Sequence, residues 1–182
     1  VIGDTGELLG TADEHRAYGT LHPGAVYLHQ GDQYLVDELD LVRRVAVVHE
    51  ADPDFYTQSR DTTDIEIVDV LEEGTTGDIA AYFGTVRVTN QVVSYVQKLV
   101  STNEVIDEIP LPLPPQHLET RAVWWTIGQA LIDRAAVSAR ALPGAVHAAE
   151  HAAIGLLPLV ATCDRWDVGG VSTPLHPNTG LC

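Results

Sequence analysis

The chain has no methionine, two cysteines and a single lysine among its 182 residues. Two cysteines, Cys163 and Cys182, cannot build a disulfide framework, so a reduced, cytoplasmic setting is predicted. No apolar stretch approaches the ~18 residues of a bilayer helix, and no basic-then-apolar leader opens the chain. We therefore expect no membrane association, and the missing initiator methionine suggests an internal fragment of a longer protein.

Phosphate-binding loops are also missing. Neither a G-x-x-x-x-G-K-[ST] nor a G-x-G-x-x-G pattern occurs, so the chain is not expected to bind ATP in the usual manner by itself. No nucleophile elbow surrounds Ser59, Ser138 or Ser172. We predict no catalytic residues and no cofactor in this chain.

Positive charge is scarce as well. Lysine and arginine total 10 against 26 acids, a net charge of −16. Residues 1–110 carry 21 acids and 6 bases, whereas residues 111–182 carry 5 acids and 4 bases. Such a field repels phosphate backbones, so a broad nucleic-acid clamp is disfavoured. Contacts with DNA, if made, should be few and lie in the near-neutral half, and the candidates there are Arg121, Arg134, Arg140, Arg165 and Trp166.

The first 110 residues are predicted to form mainly β-strands. Residues 25–29 and 34–36 flank a turn with a central glycine, which is typical of a hairpin. Residues 44–49 are β-branched, and residues 64–70 and 85–89 alternate apolar and polar side chains, with 91–98 continuing the pattern. This spacing predicts a small antiparallel β-barrel or sandwich whose acids lie on a solvated face.

A proline-rich segment follows, with four prolines in residues 109–115. It favours an extended linker over 110–118, although a proline-recognition ligand is an alternative. Beyond it, residues 119–182 predict a partial helical domain: one helix from Thr120 to Arg134, and another from Ala145 to about Cys163 that kinks or stops early at Pro158. The fold class is therefore α+β. Trp124 and Trp125 should face different surroundings.

Residues 147–151 spell H-x-x-E-H, the inverted zinc-protease signature, with His147 and His151 on one helix face and Glu150 between them. A catalytic zinc needs a third ligand, and no glutamate follows His151. An alanine-rich helix also suits histidines that pack and bond to a backbone carbonyl or an acid. The packing interpretation is favoured over a metal site.

Residues 163–172 bring one arginine, one tryptophan, two aspartates and two glycines close together in the sequence. Arg165 and Trp166 could contact a base or a phosphate. Alternatively, Arg165 pairs with Asp164 or Asp167 and fixes the end of the helix, and this structural interpretation is favoured.

Two blocks of the sequence resemble a known family, in order. The first comprises residues 24–31, 34–36, 39–41 and 56–58, and the second comprises 147–159, 163–170 and 176–180. Both resemble the Hrq-type and mitomycin-repair-factor group of superfamily 2 DEAD/DEAH-box DNA helicases, which are related to the RecQ-like enzymes. The matching residues include His29, Gln30, Gly31, His147, Glu150, His151, Cys163, Asp164, Asp167, Gly169 and Gly170.

The resemblance implies a parent that is an ATP-dependent 3′-to-5′ DNA helicase acting in DNA repair. It implies ATP with magnesium in preceding motor domains, and zinc in a four-cysteine cluster downstream of this chain. Partners would be DNA, through the parent helicase, and the motor and zinc-binding domains of the same polypeptide. On this reading the chain is a non-catalytic accessory module that positions DNA or braces the motor. The alternative is a protein-interaction scaffold with no direct DNA contact.

Overall fold

The computed structural model describes residues 1–164, 167–177 and 179–180. It shows a mixed α+β chain in which strands predominate and helices are few, as the sequence predicts. Contacts group the chain into two compact units. The first unit comprises Val1–Thr62 and Asn90–Gln116, and the second comprises Thr63–Thr89 and the described residues from His117 onward. This grouping differs from the predicted division into 1–110 and 119–182.

A four-stranded sheet forms much of the first unit. The sheet contains β1 (Ile2–Gly3), β2 (Val26–His29), β3 (Asp32–Asp40) and β4 (Val45–Glu50), and helix α1 (Glu14–Thr20) lies between β1 and β2 in the sequence. The strand order is β1-β4-β3-β2, with β1 parallel to β4 and the other pairs antiparallel. The predicted hairpin is confirmed, because Gln30 (φ 52°) and Gly31 (φ 101°) form the two-residue turn between β2 and β3. Positive φ at both positions matches the twist of the flanking strands.

Alternation along β3 and β4 builds the core of this unit. Side chains at successive positions point to opposite faces of a strand, so Ala46 and Val48 face inward while their neighbours are half-buried. The fully buried cluster comprises Leu21, Ala25, Val36, Ala46 and Val48.

Two long strands dominate the rest of the chain. The second sheet contains β5 (Phe55–Thr76), β6 (Ile79–Leu99), β7 (Val105–Pro110) and β8 (Gln116–Ile127). Strand β6 pairs with β5, β7 and β8. The short strands expected at 64–70, 85–89 and 91–98 are thus pieces of β5 and β6, and each of these strands contributes residues to both units. Neither sheet closes on itself within the described residues, so the barrel or sandwich stays a prediction.

The predicted helix over 120–134 is wrong in its first part. Residues up to Ile127 form β8, and only Gln129–Arg134 are helical (α2). The second helix is confirmed as α3 (Leu142–Leu156), followed by a 3₁₀ turn at Leu157–Leu159. It ends early, as expected, next to Pro158. No helix in the part of the chain that the structure describes is long and apolar enough to cross a membrane.

The proline-rich segment packs closely instead of spanning open space. Leu111 is 8% exposed and its backbone N–H donates to the carbonyl of Val93 over 2.8 Å. The Leu113 carbonyl accepts from the Gln91 side chain over 2.9 Å. The predicted linker over 110–118 therefore belongs to the first unit up to Gln116, where β8 begins.

Candidate nucleic-acid interface

One face of the sheet in the second unit is exposed and carries basic, acidic, polar and aromatic side chains. Two cross-strand contacts define its register. Arg121 of β8 donates to the Thr85 hydroxyl of β6, and the Thr89 hydroxyl of β6 lies 3.1 Å from Nδ1 of His117 in β8. Residues two apart along a strand share a face. We call this the exposed sheet face; its residues are Thr85, Arg87, Thr89, His117, Glu119, Arg121, Val123 and Trp125.

One of the two arginines on the exposed sheet face is balanced by carboxylates. Arg87 lies 2.7 Å from the Glu66 carboxylate and 3.8 Å from that of Glu119. These pairs are surface-exposed and contribute little stability, but they neutralise Arg87. Arg121 bonds to a neutral hydroxyl instead, so its charge stays available for an anion.

The adjacent tryptophans lie on opposite sides of β8. Trp124 is half-buried and stacks on Tyr82, with ring centroids 5.6 Å apart and planes at 16°. Trp125 is 37% exposed, on the same face as Val123, which is 63% exposed. The predicted difference in surroundings is confirmed, but it arises from the two-residue period of a strand and not from a helix.

The other candidate cations differ in their neighbours. Arg134, at the end of α2, pairs with Asp78 over 2.5 Å. Arg140 is exposed and takes part in none of the ion pairs among the described residues. Arg165 and Trp166 lie outside the described residues. The three described candidates lie on different elements: Arg121 on β8, Arg134 on α2 and Arg140 in the turn before α3.

After α3, Asp164 and Asp167 are hydrogen-bonded to each other. The Asp164 backbone N–H donates to the Asp167 carboxylate over 2.9 Å, and the Asp167 N–H donates to the Asp164 carbonyl over 3.0 Å. Cys163 is half-buried and free. Gly169 is open, whereas a side chain at Gly170 would meet Glu150 and Ile154. Gly170 thus permits close approach to α3.

The H-x-x-E-H residues form one cluster with Ser172. Glu150 is the more buried member, since its side chain is 13% exposed against 63% for His147. Its carboxylate accepts from the Ser172 hydroxyl over 2.6 Å and lies 3.2 Å from His147 Nδ1. The expected bond to an acid is present at His147, but neither histidine is buried, because His147 and His151 are both exposed. Among described residues, no group of three or more His, Cys, Asp or Glu is arranged to hold a metal ion.

The family residues of the first hairpin have a local structural role. Gln30 and Gly31 form the turn, and the His29 ring stacks on Tyr27 at 6.0 Å and lies next to Gly10.

Sequence reasoning missed a buried histidine in the first unit. His22 is fully buried; its Nδ1 lies 3.1 Å from the Pro23 carbonyl and its ring lies 4.4 Å from that of Tyr95. Burial lowers the pKa of His22 and raises that of Tyr95. The turn-forming sequence after His22 was visible, but nothing local indicates that its ring is enclosed.

With this geometry established, comparison with known proteins places the chain in a class. Over most of its length it is homologous to one region of ATP-dependent helicases, which confirms the predicted resemblance. It is 29% identical over 162 residues to ATP-dependent helicase hrq1 of Schizosaccharomyces pombe. It is 30% identical over 154 residues to HRQ1 of Saccharomyces cerevisiae, and 28% over 174 residues to the uncharacterized ATP-dependent helicase YprA of Bacillus subtilis.

These alignments cover 87%, 84% and 96% of this chain but 15%, 14% and 23% of the relatives. Among solved structures, the DUF1998 helicase MrfA bound to DNA matches with a TM-score of 0.73 and 28% identity, over 93% of this chain and 22% of MrfA. The structure of MrfA with DNA and AMPPNP matches in fold, with a TM-score of 0.62 and 24% identity. No protein-family model matches the sequence.

Proposed function

We propose that this chain is a non-catalytic accessory module of an ATP-dependent DNA helicase, and that it positions DNA or braces the motor. The observation that carries the proposal is the match to MrfA bound to DNA, which spans 93% of the chain. The parent would unwind DNA 3′ to 5′ during repair in the cytoplasm. ATP, magnesium and zinc would be bound by its other parts, which this region would contact.

The exposed sheet face supports a direct but limited DNA contact. Trp125 offers an indole on which a base can stack, and such stacking is worth about 1–3 kcal/mol per base. Arg121 lies on the same face and can meet a phosphate. Arg140 adds a cation without an acidic partner among the described residues. With a net charge of −16, the chain cannot attract DNA by its overall field, so these local groups must supply the affinity.

The test is fluorescence anisotropy of labelled single-stranded DNA with the 182-residue chain at low and near-physiological salt. We expect saturable binding that weakens with salt, because phosphate contacts release counterions. Trp125→Ala and Arg121→Ala should each weaken it. Lys98→Ala, which removes the same charge from the first unit, is the matched control, and circular dichroism checks folding.

Absence of binding at low salt, or equal loss in Lys98→Ala, would contradict a DNA contact on this face. The chain would then act as a brace or as a protein-interaction scaffold. The acidic first 110 residues favour that second function, because a surface of one sign suits a basic protein partner. Such an interface is expected to capture the separately expressed motor domains in a pull-down.

A further inference from the structure

Helix α3 presents two histidines whose ring nitrogens converge. His147 and His151 are four residues apart, so their side chains lie on one face, one turn from each other. Their Nε2 atoms are 3.2 Å apart and their ring centroids 4.4 Å. Both side chains are exposed, so an ion can reach the nitrogens from solvent.

A carboxylate holds one of these rings from the other edge. Glu150 lies 3.2 Å from Nδ1 of His147 and is itself fixed by the Ser172 hydroxyl. Because a carboxylate oxygen only accepts, the proton of the neutral His147 ring lies on Nδ1, and Nε2 carries a lone pair 3.2 Å from His151 Nε2. A carboxylate on the second nitrogen of a metal-binding histidine fixes its tautomer and raises its basicity.

We propose that His147 and His151 form a two-histidine site for a borderline-soft divalent transition ion such as Zn²⁺, Ni²⁺ or Cu²⁺. Two nitrogens about 2.0–2.1 Å from zinc and 3.2 Å apart subtend about 100° at the metal, close to a tetrahedral angle. His151 needs only to carry its proton on Nδ1 for both Nε2 lone pairs to bind. Imidazole suits these ions, whereas Mg²⁺ and Ca²⁺ prefer oxygen.

Glu150 is a positioning residue at this site. The carboxylate lies on the Nδ1 edge of His147, whereas the metal would lie at Nε2, on the other edge of the ring. It is therefore misplaced to activate a metal-bound water, and the site is a binding site without protease chemistry. Water completes the coordination shell. The proposal is independent of DNA binding and of the four-cysteine zinc cluster expected elsewhere in the parent.

The test uses the 182-residue chain with Cys163→Ser and Cys182→Ser, so that thiols cannot bind the ion. Zn²⁺ affinity is measured by competition with a chromophoric chelator, and Cu²⁺ is examined by electron paramagnetic resonance. We expect one equivalent bound, with splitting from two imidazole nitrogens. His147→Ala and His151→Ala should each lower affinity at least tenfold, and Glu150→Gln about tenfold.

The matched control is His117→Ala, which removes an exposed histidine from β8 and should leave affinity unchanged. Binding that survives His147→Ala in a folded variant, or no binding at millimolar Zn²⁺, would overturn the site. Unchanged affinity in Glu150→Gln would overturn the positioning role. Because the readouts need no DNA, these outcomes are distinct from failure of the proposed function.

Discussion

The two compact units bury their apolar side chains to different extents. Among described residues, nine of the twelve buried apolar side chains belong to the first unit, including Val36 and Val48. The second unit buries Val86, Ile132 and Val146, and it leaves larger apolar groups exposed on β8 and after α3. Apolar burial is the main stabilising term in folding. The first unit should therefore resist unfolding, whereas the second should open at lower denaturant concentration.

Gly84 marks a tight backbone contact in the second unit, which has the smaller buried core. A side chain at this position would overlap the backbone carbonyl of Asp69 and approach Trp124. We expect Gly84→Ala to destabilise the second unit by about 3 kcal/mol, since backbone cannot move aside cheaply. Gly144→Ala, in an open position of α3, is the control and should be neutral or slightly stabilising. Urea unfolding followed by Trp fluorescence measures both. Equal stability of the two variants would contradict the close approach.

A matched pair of cavity variants tests the comparison directly. Val48 is 0% exposed and Val146 is 9% exposed. Val48→Ala should cost about 2 kcal/mol and Val146→Ala about half as much, because a site near the surface can collapse around the lost methyl groups. Hydrogen exchange locates each loss in its own unit. A larger effect from Val146→Ala would reverse the ranking of the units.

Acid should weaken the first unit through His22. Because burial lowers the pKa of His22 in the folded state, the unfolded chain binds more protons below the ordinary value of about 6.5. The stability that neutral His22 contributes is complete above that pH. It is lost as the pH falls toward the pKa of His22 in the folded state, by up to about 1.4 kcal/mol for each pH unit. Urea titrations between pH 7.5 and 5 should show this slope in the wild type. His22→Phe should flatten it, and an unchanged slope would assign the effect to other groups.

The smallest expected effect separates two arginines of the second unit. Arg134 is paired with Asp78, whereas Arg140 pairs with no described acid. If Arg140 meets a phosphate, Arg140→Ala should lower the salt slope of single-stranded DNA binding by about 0.7. Arg134→Ala should change it less. Equal changes in the salt slope would show that the ion pair with Asp78 does not prevent Arg134 from contacting DNA.

The success of sequence reasoning depended on how local the determining interactions are. The β2–β3 hairpin was predictable because Gln30 and Gly31 carry the turn by themselves. β8 was not, because the apolar spacing of Val123, Trp124 and Ile127 fits a helix, and only pairing with β6, distant in sequence, selects the strand. The cluster of Glu150 and Ser172 was likewise hidden, since it joins residues 22 positions apart.

The long strands β5 and β6 have a consequence for anyone who dissects this protein. Each unit is assembled from two separate stretches of sequence, so no single cut releases either one intact. A recombinant piece that stops near residue 62 would keep the four-stranded sheet but leave its part of β5 without β6, and a piece that begins near residue 117 would leave β8 without β6. The two units must therefore be expressed together as one chain.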